Sequence, residues 1–226
     1  MKIRFLGTGA ADWGLNDTDC NGANRFFSSA LIDGELLIDP GPHVFLSAEK
    51  YGIDLSGIRY IINTHPHKDH FNEETVEKLC GAGAVFTEFT AENIKELGGY
   101  KISAFAANHG TCVGAVHFII EKQDKKLFYG LDSAWLLYDE VAAIKKIGVD
   151  MAVLDATIGD VDGDYRIFEH NNLAMVEEIK KTLSPFVKCF VISHMARTLH
   201  TDHEALSRRA QSAGLIAAYD NFEIEI

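Results

Sequence analysis

A short run of the chain contains four side chains that commonly bind metal ions. His65, His67, Asp69 and His70 lie within six residues, directly after the apolar stretch Ile58–Ile62. Neutral imidazole and carboxylate groups are typical ligands of zinc, manganese and iron. A loop between a strand and a helix can direct four such side chains into one small volume, which neither regular structure would permit. The run therefore favours a metal site over a solvated polar loop.

Three further candidate ligands lie elsewhere in the chain. His109, Asp132 and His194 each follow an apolar stretch that is predicted to be a strand. The loops that follow strands are where a sheet scaffold usually presents functional groups. Because one loop cannot complete a metal centre by itself, we expect these three residues to join the histidine-rich run.

These residues resemble the motifs of the metallo-β-lactamase-fold hydrolase superfamily. The histidine-rich run is similar to its signature motif, and Asp39–Gly41 is similar to its upstream aspartate motif. His109, Asp132 and His194 resemble its third, fourth and fifth motif ligands, in that order. The resemblance extends over residues 5–223, which is nearly the whole chain.

The resemblance implies an α/β (α+β) fold, a four-layer αββα sandwich with two divalent metal ions, zinc or manganese, at one edge. It implies that Asp132 bridges the two metals. The first metal would be held by His65, His67 and His109, and the second by Asp69, His70 and His194. Asp39 would either orient a ligand through hydrogen bonds or cap the turn before Val44, and the sequence leaves both roles open.

A second group of residues resembles the phosphodiesterase branches of the superfamily, which include a cyclic-phosphate phosphodiesterase and the tRNA 3′-processing endonucleases. The similarity is carried by Leu154–Thr157 and by Glu169–Asn171, which precedes a predicted helix. It implies that His170 is a general acid and that Asp155 orients it. An imidazole near a helix N-terminus suits an anionic ester, because the helix end attracts the anion and the ring can protonate a leaving alkoxide.

Asp69 is counted as a catalytic residue as well as a ligand, and two more residues are candidate substrate contacts. Arg197 has a planar guanidinium that suits phosphate oxygens. His200 lies close in sequence to the candidate ligand His194. A surface salt bridge for Arg197 is an equally good interpretation.

The predicted function is that of a dinuclear metal-dependent hydrolase that cleaves a small, and in one version cyclic, phosphodiester. Three alternatives stay open. The same site could hydrolyse a lactone, thioester or β-lactam, it could act like a tRNA 3′-end endonuclease, or it could bind metals without catalysis.

The amino-acid composition limits the classes of molecule that the chain is expected to bind. The 226 residues include 33 acidic and 21 basic side chains, for a formal charge of −12. Nucleic acid is therefore an unfavourable partner, since phosphate neutralisation needs clustered Lys and Arg. We expect a small phosphorylated or ester substrate. The oligomeric state stays open between a monomer and a homodimer.

The expected location is the cytoplasm. The four cysteines are widely scattered and fit reduced thiols better than a disulfide framework. No apolar run approaches the roughly 18 to 20 residues that a membrane helix needs, so no contact with a membrane is expected. The N-terminus does not resemble a secretory signal.

The elements that must position these residues can be predicted from apolar periodicity and turn signals. We expect one domain, residues 1–226, in which strands and helices alternate without a linker. A long loop rich in Gly, Asp and Asn is predicted at residues 7–24, and the helix that follows the histidine-rich run begins at Asn72. The other predicted helices are Val44–Tyr51, Ala134–Ile147, Leu173–Leu183 and His203–Ala213.

Overall fold

A computed structural model of the chain describes residues 1–14, 24–200 and 202–226. Most of the predicted loop at residues 7–24 therefore lies outside the described residues. The strands are β1 (Lys2–Gly7), β2 (Ser29–Ile32), β3 (Leu36–Ile38), β4 (Tyr60–Ile62), β5 (Val85–Thr87), β6 (Ile94–Leu97), β7 (Tyr100–Ala106), β8 (Val116–Lys122), β9 (Lys125–Gly130), β10 (Val149–Asp155), β11 (Val187–Ser193), β12 (Ile216–Ala217) and β13 (Glu223–Glu225). The helices are α1 (Val44–Tyr51), α2 (Glu73–Gly81), α3 (Tyr138–Ile147), α4 (Leu173–Leu183) and α5 (His203–Ser212), with a 3₁₀ turn at Tyr165–Phe168.

The strands form two mixed sheets. The first has the order β13-β1-β2-β3-β4-β5, and the second has the order β12-β11-β10-β9-β8-β7-β6. In the first sheet β3, β4 and β5 run parallel, and in the second β9, β10, β11 and β12 run parallel. Parallel strands deliver their carboxyl ends to the same edge, and this places the loops that follow β4, β9, β10 and β11 where a site can form.

Alternate side chains of the central strands enter different apolar layers. In β10, Met151 and Val153 enter the layer between the two sheets, whereas Ala152 and Leu154 face a layer shared with residues of α3, α4 and α5. A third layer packs residues of α1 and α2 on the outer face of the first sheet. Strands buried on both faces need helices on the outside of each sheet. The structure therefore confirms the predicted four-layer αββα sandwich.

Two elements differ from the sequence prediction. Helix α3 begins at Tyr138 instead of Ala134, because Trp135 has a left-handed backbone (φ +62°) and donates its N–H to Asn171 Oδ1 at 2.7 Å. Strand β6 was not predicted. It is a half-exposed edge strand that, among the described strands, pairs with β7 alone, and its sequence lacks a strong apolar pattern. Among the described residues, no helix combines the length and apolar character needed to cross a membrane.

Candidate metal centre

The histidine-rich run forms a tight turn between β4 and α2. The amides of His70 and Phe71 both donate to the carbonyl of His67, at 2.9 and 2.8 Å. Asn72 then caps α2 by accepting the N–H of Thr75 at 2.9 Å. The turn closes the chain on itself over a few residues, and its ligand side chains therefore converge as the spacing predicted.

The predicted ligands form two adjacent clusters, and within each the candidate ligand atoms all lie within 4.8 Å of one another. His109 Nε2 lies 3.2 Å from His67 Nδ1 in the first cluster. His70 Nε2 lies 3.2 Å from His194 Nε2 in the second. The first cluster is His65, His67 and His109, and the second is Asp69, His70, Asp132 and His194.

Three ligand histidines use their Nδ1 atoms for hydrogen bonds that fix the ring. Thr64 Oγ1 contacts His65 Nδ1 at 3.0 Å, Asp39 Oδ2 contacts His70 Nδ1 at 2.9 Å, and Thr157 Oγ1 contacts His194 Nδ1 at 2.7 Å. The carboxylate of Asp39 can only accept, so His70 Nδ1 must donate to it. The two threonine hydroxyls can donate their own protons to aspartates, and they therefore accept from the histidine rings. The network thus assigns a proton to Nδ1 in each ring. The Nε2 lone pairs then face the interior of the site, as metal ligation requires.

The inward-facing atoms fit divalent cations. His65 Nε2, Asp69 Oδ2 and Asp132 Oδ2 are buried, and the first two have no hydrogen-bond partner. Asp132 Oδ2 faces the ring of His70, whose Nε2 lies 3.0 Å away. Buried polar atoms of this kind are normally paired. Bound cations would satisfy all three, and the sequence-predicted pair of metal sites is therefore compatible with the described geometry.

The pKa shifts within the two clusters also favour the binding of cations. Burial, reinforced by the nearby His70, lowers the pKa of His65 to about 2, which keeps this ligand neutral. Burial would raise the pKa of Asp132, but His194 and His70 outweigh it and hold the carboxyl well below its ordinary value. Burial likewise lowers the pKa of His70, yet Asp132, Asp69 and Asp39 together raise it well above its usual range, so that in the metal-free chain Nε2 also carries a proton, which a bound cation would replace. The second cluster is thus an anionic site that favours positive charge.

Asp39 orients ligands and does not cap the helix. Its carboxylate accepts the backbone N–H and the hydroxyl of Thr64, both at 2.8 Å, and it also holds His70. The amide of Val44 instead contacts the carbonyl of Gly41 at 3.3 Å. Of the two roles that the sequence left open, the structure shows the first.

Asp155 connects His170 to the metal clusters. Its carboxylate is fully buried and accepts hydrogen bonds from the amides of Asp132, Thr157 and Asn171, at 2.9 to 3.1 Å, and it contacts His170 Nδ1 at 2.7 Å. Asp155, Asp132, His170 and His194 also approach one another closely enough to suggest a third cation site. Because Asp155 is already saturated with donors, we assign it to positioning and not to ligation.

His170 lies beside both clusters. Its ring centroid is 5.4 Å from that of His194, in a stacked arrangement, and 5.4 Å from that of His109. Burial lowers the pKa of His170, but Asp155 outweighs it and raises the pKa to about 9. The ring contacts Thr157 Oγ1 and Asp155 Oδ2 through Nδ1, which leaves Nε2 as the atom able to deliver a proton.

The two candidate substrate residues behave differently from the ligands. His200 Nε2 lies 2.7 Å from the carbonyl of Ala156 and 3.1 Å from that of Thr157, so this nitrogen supports the backbone beside the site. Arg197 is exposed, and its amide donates to Asp12 Oδ1 at 2.7 Å. The structure thus gives His200 Nε2 a structural role, while a substrate contact by Arg197 stays a prediction.

Thr157 supports the candidate site in a way that the sequence did not assign to it. Its hydroxyl contacts His194, His170 and Asp155, which joins a candidate ligand to the candidate acid. The sequence signals were its place in the segment Leu154–Thr157 and in the loop at the end of a strand.

Comparison with known proteins supports the fold and the signature region. A family model of the metallo-β-lactamase superfamily matches residues 28–72, which include Asp39 and the histidine-rich run. A search of curated proteins found no match. These findings, with the fold, confirm the predicted resemblance to this superfamily.

Solved structures with the same fold span the whole chain. A diphosphatase from the PhnP family is 21% identical with a TM-score of 0.73, covering 100% of this chain and 97% of that one. The short form of human tRNase Z is 19% identical with a TM-score of 0.72, covering 100% and 99%. The metallo-β-lactamase fold protein YhfI from Bacillus subtilis is 15% identical with a TM-score of 0.76, covering 100% and 99%.

Proposed function

We propose that this chain, which has the metallo-β-lactamase fold and the superfamily's signature segment, is a metal-dependent hydrolase that cleaves a small phosphodiester. The observation that carries the proposal is the His170–Asp155 pair beside both ligand clusters. Two similar structures, a PhnP-family diphosphatase and a tRNase Z, have names that describe action on phosphate compounds or RNA. That similarity supports a phosphate ester as the substrate class.

The ligand residues would hold two divalent cations, His65, His67 and His109 one of them, and Asp69, His70 and His194 the other, with Asp132 shared. Two such ions, when bound, activate water and neutralise charge that develops at the phosphorus centre. Asp69 contributes as one of the carboxylates that set the charge of the second site. Metal identity depends on availability as well as on ligand type, so zinc and manganese both suit this donor set.

His170 would act as the general acid. In the metal-free chain Asp155 raises the pKa of His170 to about 9, so the ring carries a proton at neutral pH. Nδ1 is held by Asp155, so the proton on Nε2 is the one that can pass to the oxygen of the leaving group. The carboxylate of Asp155 stabilises the ring while it is charged and fixes its orientation. Proton transfer from a positioned side chain typically accelerates a reaction about 10²- to 10⁴-fold.

The charge of the protein supports a small substrate. The net charge of −12 disfavours a long polyanion, whereas the metal-binding clusters can present local positive charge once cations are bound. We therefore propose a phosphorylated metabolite as the substrate, and Arg197 as a candidate contact for one of its phosphate oxygens.

The test compares two leaving groups in wild type and in His170→Ala. The probes are bis(p-nitrophenyl) phosphate, whose nitrophenolate leaves without protonation, and a 2′,3′-cyclic nucleotide, whose alkoxide requires a proton. We expect metal-dependent hydrolysis of both by wild type. The variant should lose about 10²-fold or more on the cyclic ester and far less on the nitrophenyl ester.

Other outcomes separate the alternatives. Equal losses on the two probes would refute the acid role of His170. Efficient hydrolysis of a lactone or thioester, unaffected by the His170 substitution and without phosphodiester turnover, would favour the carboxylic ester interpretation. Elemental analysis of the purified protein should find two divalent ions per chain, and none after purification with zinc or manganese present would refute the metal centre.

A further inference from the structure

His117 is a fully buried histidine in β8 whose two ring nitrogens both face acceptors. Nδ1 contacts Glu140 Oε1, and Nε2 lies 2.9 Å from the carbonyl oxygen of Leu131. His117 and Glu140 are both 0% exposed. Because a carboxylate and a carbonyl can only accept, each nitrogen must donate, and the ring is an imidazolium paired with a buried carboxylate.

The surrounding structure is shaped to accept this ring. The paired register of β8 and β9 ends at Phe118 and Tyr129, which places Gly130 next to His117. A Cβ atom on Gly130 would lie 2.5 Å from the ring of Phe128 and 3.3 Å from His117 Nδ1. A glycine is therefore needed where β9 ends, since a larger residue would collide with the rings packed over it.

The carbonyl that His117 holds belongs to the residue before Asp132, the carboxylate shared by the two clusters. Asp132 has a left-handed backbone, with φ of +56°. Its amide donates to Asp155 Oδ2 at 3.1 Å. The chain at Leu131–Asp132 is thus held on one side by Asp155 and on the other by His117, after the ladder of β9 has ended.

Glu140 connects this hydrogen bond to helix α3. Its Oε2 accepts the amide of Leu137 at 2.7 Å, at the start of the helix, while Oε1 holds His117. The neighbouring residue Val116 also donates its amide to the carbonyl of Thr64, at 2.9 Å, directly before the histidine-rich run. The start of β8 therefore contacts the loops that carry ligands of both sheets.

We propose that His117 and Glu140 form a buried clamp that positions Asp132 and thereby sets the affinity of the centre for its metal ions. The inference rests on the proposed metal site. His117 is a positioning residue, because it acts through the peptide of Leu131 and touches neither the clusters nor a substrate.

Two amide substitutions separate the two bonds of the ring. The side-chain nitrogen of Asn takes approximately the place of Nδ1, and that of Gln approximately the place of Nε2. His117→Asn can keep the contact with Glu140 but loses the bond to Leu131. His117→Gln can keep the bond to Leu131 but loses the contact with Glu140. Both variants disturb the buried pair, so each controls for a general loss of stability in the other.

The measurement is zinc affinity by competition with a chromophoric chelator, with thermal unfolding recorded in parallel. Loss of a residue that supports a ligand typically weakens metal binding about 10- to 100-fold. We expect a weakening of that size in His117→Asn, and a clearly smaller one in His117→Gln, which keeps the bond to Leu131 but loses the support of Glu140. Equal affinities in all three proteins, with melting temperatures lowered in both variants, would show that the pair is only structural and would overturn the inference.

A measurement on wild type keeps the inference testable if neither variant folds. Nuclear magnetic resonance of ¹⁵N-labelled histidine should show both ring nitrogens of His117 protonated at neutral pH and slow to exchange. An unprotonated Nε2 would refute the clamp, because this nitrogen is the one that must donate to the carbonyl of Leu131. Failure of the wild-type protein to bind zinc at all would refute the proposed metal centre, and the inference with it, whereas tight zinc binding unaffected by His117→Asn refutes the inference alone.

Discussion

Replacing Asp155 with Asn tests the network that joins His170 to the metal clusters. The substitution keeps the shape of the side chain but exchanges one accepting oxygen for a donating NH₂. Oδ1 accepts two backbone N–H groups, from Thr157 and Asn171. The amide nitrogen is therefore better placed at Oδ2, where it faces the amide of Asp132 and the ring of His170.

The cost has two parts. The amide of Asp132 loses its acceptor, and a buried unsatisfied donor costs about 1–3 kcal/mol. The second part is the loss of the charge interaction with His170. Asp155 contributes most to raising the pKa of that ring from 6.5 to about 9, and a shift of this size is equivalent to about 3 kcal/mol, at about 1.4 kcal/mol per unit.

The charge interaction between Asp155 and His170 stabilises the folded chain by an amount that falls as the pH rises. The pKa of His170 is higher in the folded chain than in the unfolded chain, so folding favours the protonated ring. The stabilisation is complete below pH 6.5 and disappears as the pH rises through about 9. The difference in unfolding free energy between wild type and Asp155→Asn should therefore be largest at pH 6 and about 3 kcal/mol smaller at pH 9.5.

Urea unfolding of chelator-treated protein at these two pH values measures the difference, because His170 then titrates without bound cations nearby. Asp162→Asn is the matched control, since Asp162 is exposed and lies in the loop between β10 and the 3₁₀ turn at Tyr165–Phe168. Its effect should be small at both pH values. A difference for Asp155→Asn that does not change with pH would refute the charge interaction, and unchanged stability would refute the network as a whole.

Two further predictions concern the residues behind the ligands. Gly41→Ala should lower thermal stability and metal content together, because a Cβ there would lie 2.5 Å from the carbonyl oxygen of Asp69. Gly81→Ala is the control, because a Cβ at this helical position meets no atom outside its own helix; it should leave the metal content unchanged and should not lower the stability. Equal losses in the two variants would contradict the steric argument. Asp39→Asn should weaken zinc binding about 10- to 100-fold in a chelator competition, since the carboxylate of Asp39 supports the ring of His70. A loss of stability with unchanged zinc affinity would show that Asp39 serves the fold alone.

The clustering of the candidate ligands could be predicted from sequence because the information is local. Four of them lie in one short run, and the others each follow a strongly apolar strand. Continuous apolar stretches indicated strands that are buried on both faces of a sheet, and their order along the chain indicated the fold class. The resemblance to a known superfamily then supplied the pairing of ligands into two sets, which spacing alone does not determine.

The supporting residues could not be predicted in the same way, because their roles depend on contacts between distant segments. His117 appears in the sequence as one polar residue in a strand, and only the packing of β8 against α3 brings Glu140 to it. The predicted start of α3 at Ala134 was wrong for a related reason. Asn171, far along the chain, holds the amide of Trp135 and keeps residues 134–137 out of the helix.

The backbone at the site explains why so many supporting contacts are needed. Asp39, Asp132 and His194 all have left-handed backbone angles, with φ of +59°, +56° and +62°. This conformation costs a non-glycine residue about 1–2 kcal/mol, although aspartate tolerates it better than most. Each of the three lies just beyond a strand, where the chain must turn sharply for its side chain to point back over the edge of the sheets.

That strain can persist only where the surroundings hold the chain in place. Asp39 is held through Thr64 and Asp132 through Asp155, and the ring of His194 is bonded to Thr157. The buried polar network around the clusters is therefore better understood as the support for three strained turns than as a set of independent hydrogen bonds, and substitutions within it should have effects on metal affinity that are not additive.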